Sequence, residues 1–382
     1  MRVKSLYILC LMAAVFLLLS GCAPRGGDVL KENAFTPPAP ADTAEQACLD
    51  FVQNQLAANG GIYTNYLSGS AQGDLAQGHE VLSESQGLML RYYAAIADEE
   101  GFSQTLGYIT QMLDTGALLS YRVGEEGSRF STNAAIDDLR ILRGLLEGAQ
   151  VFSQPDYRKL CQNWAKRLYK TNVKDDFLLD CYDETLSFAG RVSTLCFSDL
   201  ETMQLLGSAD RRWNKVERKM RDILKQGYLG DHFPFFQTRY DIDSEAYEAE
   251  QINMVEALLT AVHLSQVGEC PAATVRWVKE ALSQGAIYGA YTPQGVPVNT
   301  IESTAIYALC ALLGGAEGDQ ALVEAAMEKL RGFQITDKQS TLYGAFADAA
   351  TLKAYSFDNL MALAALRTQA QNAVGSEKGE GA

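Results

Sequence analysis

The sequence is poor in the residues most catalytic centres use. Only three histidines, His79, His232 and His263, serve 382 residues, and none stands at metal-ligand spacing from another histidine or a cysteine. There are eight cysteines but no CxxC pair. A metal centre, a cofactor or a histidine-based nucleophile relay is therefore not expected. Basic residues are also scarce, 32 Lys plus Arg against 47 Asp plus Glu, for a net charge of −15. That balance excludes nucleic acid and anionic lipid headgroups as natural partners and leaves neutral or cationic polymers. No Pro-, Gly- or Ser-rich break interrupts the chain between about residue 42 and residue 374, so a single large domain is expected there.

What is present at the N-terminus is a processing pattern. Arg2 and Lys4 precede an apolar stretch from Leu6 to Leu19, and Leu19-Ser20-Gly21-Cys22 supplies a small-residue cleavage site. The apolar stretch is shorter than the roughly 20 residues a spanning helix needs. The pattern resembles a bacterial lipoprotein signal. The resemblance implies removal of residues 1–21, lipidation of Cys22, and a chain held on the extracytoplasmic face of the cell membrane by its acyl chains. Residues 22–41, with Gly26-Gly27 and Pro37-Pro38-Ala39-Pro40, read as a flexible tether, and residues 375–382 as a loose tail. Loss of Arg2 and Lys4 with the signal would leave 30 basic against 47 acidic residues, a net charge of −17. Cys48, Cys161 and Cys310 sit among apolar helical neighbours and read as buried thiols, while a disulfide could join Cys181 to Cys196 across a hairpin.

Apolar spacing predicts twelve helices, near 43–58, 83–98, 101–116, 133–152, 155–170, 198–207, 210–226, 244–267, 271–284, 299–314, 317–332 and 355–373. They alternate in kind. Those starting at 43, 101, 155, 210, 271 and 317 carry a charged stripe and read as half-wet. Those starting at 83, 133, 198, 244, 299 and 355 are apolar or small around most of their circumference and read as buried. Six buried helices alternating with six half-wet ones through short loops are what an all-α (α/α)6 barrel requires.

Each buried helix also opens on polar or acidic residues: Ser83-Glu84, Asn133 to Asp138, Ser198-Asp199, Asp243 to Glu248, Asn299 to Glu302 and Ser356 to Asn359. Helix capping explains each alone, with Ser83 a natural N-cap and Glu84 suited to the helix dipole. Parallel inner helices would instead bring all six to one mouth and line it with carboxylates. Long connections lead into these starts, and Tyr121 to Phe130 folds back on itself across Gly124-Glu125-Glu126-Gly127 as a small hairpin. The connections are rich in aromatics, among them Tyr63, Tyr66, Phe233, Phe235, Phe236, Tyr240, Tyr288, Tyr291 and Tyr343. Aromatic faces beside carboxylates suit sugar rings, and two opposed carboxyl groups are all that glycoside hydrolysis asks of a protein.

Ser83-Glu84-Ser85-Gln86-Gly87-Leu88-Met89 resembles the Ser-Glu-Gly-Gln-Gly-Tyr-Gly-Met signature of glycoside hydrolase family 8, in which the glutamate is the general acid. Asp138-Leu139-Arg140-Ile141 resembles the end of that family's Asp-x-Asp-Leu-x-Ile motif, and Tyr240-Asp241 its Tyr-Asp pair carrying the base. The sequence departs from the family at Ser85, at Ile136 in place of the first motif aspartate, and after Asp241, where the family's Arg and Pro are missing. These departures keep Asp243 open as a substitute for Asp241, and Asp137 for Asp138. The resemblance implies inverting hydrolysis of a polysaccharide or oligosaccharide, with Glu84 as acid, Asp241 as base, and Asp138, Gln86, Tyr240, Asp243, Tyr63, Phe236 and Asp358 around the sugar. It is closest to divergent lipoproteins of bacterial exopolysaccharide operons. It therefore also implies a β-linked exopolysaccharide as substrate, an exopolysaccharide synthase or secretion complex as partner, and a chain acting as a monomer. The second reading is a carbohydrate-binding lipoprotein that has kept the cleft and lost catalysis.

Overall fold

The computed structural model describes residues 38–69 and 76–379, without the side chains of 373–379. The expected signal sequence, Cys22 and most of the expected tether lie outside the described residues. Among the described residues twelve α-helices carry the fold: α1 (Thr43–Gln55), α2 (Ser83–Ile96), α3 (Glu99–Tyr108), α4 (Ala135–Val151), α5 (Pro155–Asn172) and α6 (Leu200–Ala209), then α7 (Trp213–Gln226), α8 (Met254–Gln266), α9 (Ala272–Gln284), α10 (Thr304–Glu317), α11 (Gln320–Arg331) and α12 (Ser356–Gly379). Among the described residues no helix is long and apolar enough to cross a membrane.

The two kinds of helix expected from the sequence are distinct in burial. On α7 the apolar stripe Trp213, Val216, Met220, Ile223 and Leu224 faces inward with Glu217, and the remaining residues are at least partly exposed. Each such apolar side chain contributes roughly 1.5–3 kcal/mol on burial. By contrast α10 buries every residue from Thr304 to Ala311. The even-numbered helices pack in succession, α2 on α4, α4 on α6, α6 on α8, α8 on α10, α10 on α12, and α12 returns to α2. Odd-numbered helices pack outside them, α3 on α2, α5 on α4, α7 on α6, α11 on α10 and α1 on α12. A cavity of about 540 Å³ is lined by Leu88, Arg140, Asp199, Leu259, Leu312 and Met361, one from each of the six central segments. The six central helices therefore surround one space.

Short strands decorate the connections. Strand β1 (Val81–Leu82) pairs with β2 (Arg122–Val123), and β3 (Val192–Thr194), β4 (Arg239–Asp241) and β5 (Ala246–Glu248) form an antiparallel sheet in the order β5-β4-β3. The predicted hairpin at 121–130 is present, with Gly124 N–H donating to the Ser128 carbonyl and Phe130 N–H to that of Arg122.

Some expectations are corrected. Helix α8 starts at Met254, ten residues after the predicted 244, because Tyr240 and Tyr247 pair across β4 and β5 and hold Asp243–Glu248 in a hairpin. Asn253 is its N-cap, accepting from Val255 N–H and Glu256 N–H. Asn299–Glu302 likewise precede α10, whose cap is Ser303. The expected tail is helical as far as Gly379. Cys181 and Cys196 are free thiols, so the possible disulfide is not formed.

Candidate active site

Glu84 is the second residue of α2, and the local pairing that puts it there is unusual for a helix start. Leu82 holds the N-cap position and no side chain caps the helix, so Ser83 is not the cap its type suggests. Its N–H instead donates to the Tyr121 carbonyl at 2.9 Å, continuing the β1–β2 pairing, and its hydroxyl donates to Asp137 Oδ2 at 2.9 Å. Asp137 Oδ1 accepts from Arg140 Nη1 at 2.8 Å, and the same nitrogen lies 3.3 Å from Glu84 Oε2. Two glycines allow this closeness. A Cβ on Gly87 would come within 2.8 Å of Arg140 Cβ, and one on Gly144 within 2.9 Å of Leu90. Larger residues at either position would push α2 off α4.

Burial dominates the electrostatics of Glu84. It raises the carboxyl to about 7, Arg140 pulls the other way, and the charges of Asp137 and Asp358 add to the rise. The first-turn position, which favours the charged form, does not offset this. The side chain is still 28% exposed. The carboxyl is thus protonated near neutral pH yet reachable, which is what a general acid requires.

The helix period shows which other acids share this space. Below Glu84 the cavity is lined by Leu88, Arg91 and Ala95, and below Asp137 by Arg140, Glu147 and Val151. The same i+3, i+4 and i+7 spacing runs from Glu256 to Leu259, His263 and Gln266, and from Asp358 to Met361. Glu84, Asp137, Glu256 and Asp358 therefore stand at the head of stripes that face the central space. Asp358 Oδ1 accepts from Ala305 N–H at 3.0 Å, tying α12 to the start of α10. Asp199, the N-cap of α6, accepts from Thr202 N–H and lines the cavity itself. His263 is buried there and pushed down to about 4, hence neutral. The exposed large hydrophobic side chains of the described chain, Leu67, Leu186, Phe188, Val296, Val298, Ile301, Tyr343, Leu352 and Tyr355, all lie on connections into central helices.

The other residues expected around the sugar are dispersed. Asp138 is turned outward, its Oδ2 accepting from Asn133 at 2.7 Å among Trp164, Arg167 and Leu168. Gln86 is fully buried, and in the orientation that satisfies both ends its amide donates to Gly60 carbonyl and accepts from Ile62 N–H. Tyr240 is buried, stacked on Phe177 with centroids 5.7 Å apart. Phe236 is buried against Tyr228, and Phe233, Phe235 and Tyr291 are core with Trp277. Tyr63 is half-buried and stacks on His79 at 4.3 Å. Asp241 ends β4, where its Oδ1 accepts from Asp243 N–H and from the N–H and hydroxyl of Ser244. Those turn donors hold its carboxyl below the usual range. Asp243 is paired with Arg191, which lowers it also.

Sequence reasoning missed a second acidic cluster. Asp180 accepts from Thr194 N–H and Oγ1, both at 2.6 Å, while its own carbonyl accepts from Ala135 N–H at the start of α4. Burial raises it to about 6, Arg239 lowers it and Glu256 raises it. Burial raises Glu256 too, against Arg239. The signal available was Asn253 followed three residues on by an acid, a cap and first-turn pattern.

No family model matches the chain. Among curated proteins it is 26% identical over 362 residues to YdaJ of Bacillus subtilis (strain 168), whose name proposes a lipoprotein, covering 92% of this chain and 93% of that one. Among solved structures it is similar to a novel alpha-amylase from Clostridium perfringens, with TM-score 0.81 and 32% identity over 86% of this chain and 99% of that one. It shares its fold with endoglucanase Cel10 of Klebsiella pneumoniae, a family 8 glycosyl hydrolase, at TM-score 0.60 and 15% identity over 86% and 100% of the two chains.

Proposed function

Because the chain belongs, as a divergent member, to the family-8-like glycoside hydrolases, we propose that it hydrolyses a polysaccharide at the mouth of an (α/α)6 barrel with Glu84 as general acid. The observation that carries this reading is a carboxyl raised to about 7 by burial, partly exposed, and hydrogen-bonded into a fixed Ser83–Asp137–Arg140 frame. Glu84 protonates the leaving glycosidic oxygen. A carboxylate across the mouth deprotonates water on the opposite face of the sugar, giving inversion and carboxyl groups roughly 6.5–9.5 Å apart. The resemblance puts that base on Asp241; the stretch that supplies it runs from Asp241 to Glu256, at the first turn of α8. In the frame beside Glu84, Asp137 takes the place that the motif assigned to Asp138.

The substrate in this reading is a β-linked exopolysaccharide, met outside the cell by a domain anchored through Cys22. The similarity to an alpha-amylase favours a second substrate reading, an α-linked glucan. Release of reducing ends from purified exopolysaccharide, barley β-glucan, carboxymethylcellulose and soluble starch decides between them. Wild type is expected to cut one class and Glu84→Gln none. Retained activity in Glu84→Gln removes it from the mechanism. Binding without reducing ends from either protein would establish a carbohydrate-binding lipoprotein instead. Cys22→Ala is expected to move the protein from the membrane fraction to the medium.

A further inference from the structure

We infer that Glu256 is the base opposite Glu84, the group that accepts the proton of the attacking water; the inference rests on the hydrolase reading above. In the cycle α2, α4, α6, α8, α10, α12, helix α8 is three steps from α2 in either direction and so stands across the central space. Packed helices lie roughly 8–10 Å apart, which puts opposite axes of a six-membered ring at about 16–20 Å. With side chains reaching roughly 5–6 Å from each axis, inward tips on opposite helices are separated by about 4–10 Å. That interval contains the spacing an inverting pair needs.

By helix phase Glu256 heads the stripe of α8 that lines the cavity, and its own side chain borders a small space with Cys196, Phe236 and Thr260. Leu259, His263 and Gln266, at i+3, i+7 and i+10, line the cavity that Leu88, Arg91 and Ala95 line beneath Glu84. His263, two turns below, is 6% exposed with Nδ1 unpartnered, an unused polar atom in the same wall. The first turn of α8 is held by Asn253, whose Oδ1 accepts from Val255 N–H at 2.9 Å. The lone pairs also distinguish the candidates. Asp241 is held at Oδ1 by three donors, its Oδ2 accepting none, and Asp243 is held by Arg191. Among the described residues the Glu256 carboxylate accepts no hydrogen bond from the protein; burial raises its carboxyl and Arg239 on β4 pulls the other way. It is free to hold a water.

The step balances without any co-reactant. Water oxygen bonds to the anomeric carbon as the bond to the leaving oxygen breaks. Glu84 gives its proton to that oxygen, and Glu256 takes one from the water.

The test uses the full mature domain and whichever of the four polymers wild type cuts. Glu256→Gln, Asp241→Asn, Glu248→Gln and Asp180→Asn are compared for kcat, KM, pH profile and melting temperature. Glu256→Gln is expected to lose roughly 10²–10⁴ in kcat, to keep KM and melting temperature, and to lose the acid limb of its kcat/KM profile. Azide is expected to restore turnover to Glu256→Ala with formation of a glycosyl azide. Glu248→Gln and Asp180→Asn are expected to stay within about tenfold of wild type. More than a tenth of wild-type kcat in Glu256→Gln, or a dominant loss in Glu248→Gln or Asp241→Asn, overturns the assignment while leaving hydrolysis intact. Full activity in Glu84→Gln, or no cleavage of any polymer, overturns the hydrolase reading and this inference with it.

Discussion

Glu84 and Asp241 are both acids at or just past the end of a short strand that leads toward a central helix, and their surroundings make them opposites. Glu84 sits at the head of a central helix, against Arg140 and Asp137, and burial raises its carboxyl to about 7. Asp241 sits at the end of an exposed hairpin strand, and the N–H groups of its own turn lower it. Desolvation governs the first and hydrogen bonds to the charged form the second. A carboxylate is therefore assigned its work by whether burial or hydrogen bonding to its charged form dominates. The comparison is broken most decisively at Glu84. The isosteric Glu84→Gln is expected to reduce kcat by roughly 10²–10⁴ with the fold retained by circular dichroism; a loss below tenfold would make the two acids equivalent.

The next test acts on the frame. Arg140 is the group that counteracts burial at Glu84, and it also bonds Asp137. Arg140→Met is expected to move the basic limb of the kcat/KM profile upward from its wild-type position near 7, because an uncompensated buried carboxyl holds its proton longer. The sign follows from the role: the acid works protonated, so wild-type activity falls as pH rises through about 7. A limb that stays in place would show that Arg140 does not govern Glu84. Removing the arginine also leaves Asp137 buried without its strongest partner, so the variant is expected to melt lower by several degrees in the same preparation.

Much of this arrangement is legible in the sequence, and the losses have a common physical origin. The twelve helices, their alternation in burial and the hairpin at 121–130 follow from local period, which the chain carries in every window. Glu84 follows from a motif. What the period cannot give is its phase against distant elements. Asp137 and Asp138 are adjacent, and one turns inward to Arg140 while the other turns outward to Asn133. Gln86 reads as a site residue until its amide is seen on Gly60 and Ile62, more than twenty residues earlier. Composition alone starts α8 at an acidic run that belongs to a hairpin, because strand alternation over three residues is too short to outweigh an acidic, helix-compatible composition. The position of Glu256 in the first turn of α8 is therefore not legible from composition.

A stability measurement sharpens the comparison further. A carboxyl raised in the fold binds its proton more tightly there than in the unfolded chain. Its contribution is therefore fully present below about 4.5 and is lost as pH rises through about 7. Glu84→Gln removes that titration. At pH 8 it is expected to be more stable than wild type by on the order of 1–3 kcal/mol, and at pH 4 nearly equal, as read by urea denaturation at the two pH values. Equal stability at both would mean that ionised Glu84 is compensated by its surroundings.

Asp241 gives the smallest expected effect, and its sign is opposite. Its carboxyl is lowered, so its contribution is present above about 3.8 and is lost as pH falls below that value. The group is exposed and its donors belong to a surface turn that the flanking β4–β5 pairing also holds. Asp241→Asn keeps an acceptor oxygen for the same N–H groups, so kcat is expected to stay within a few-fold of wild type and melting to shift by no more than a degree or two at pH 7. If Asp241→Asn instead abolished activity at unchanged stability, the exposed hairpin would be the base-bearing wall of the mouth, and the contrast between the two acids would become one between partners in a single reaction.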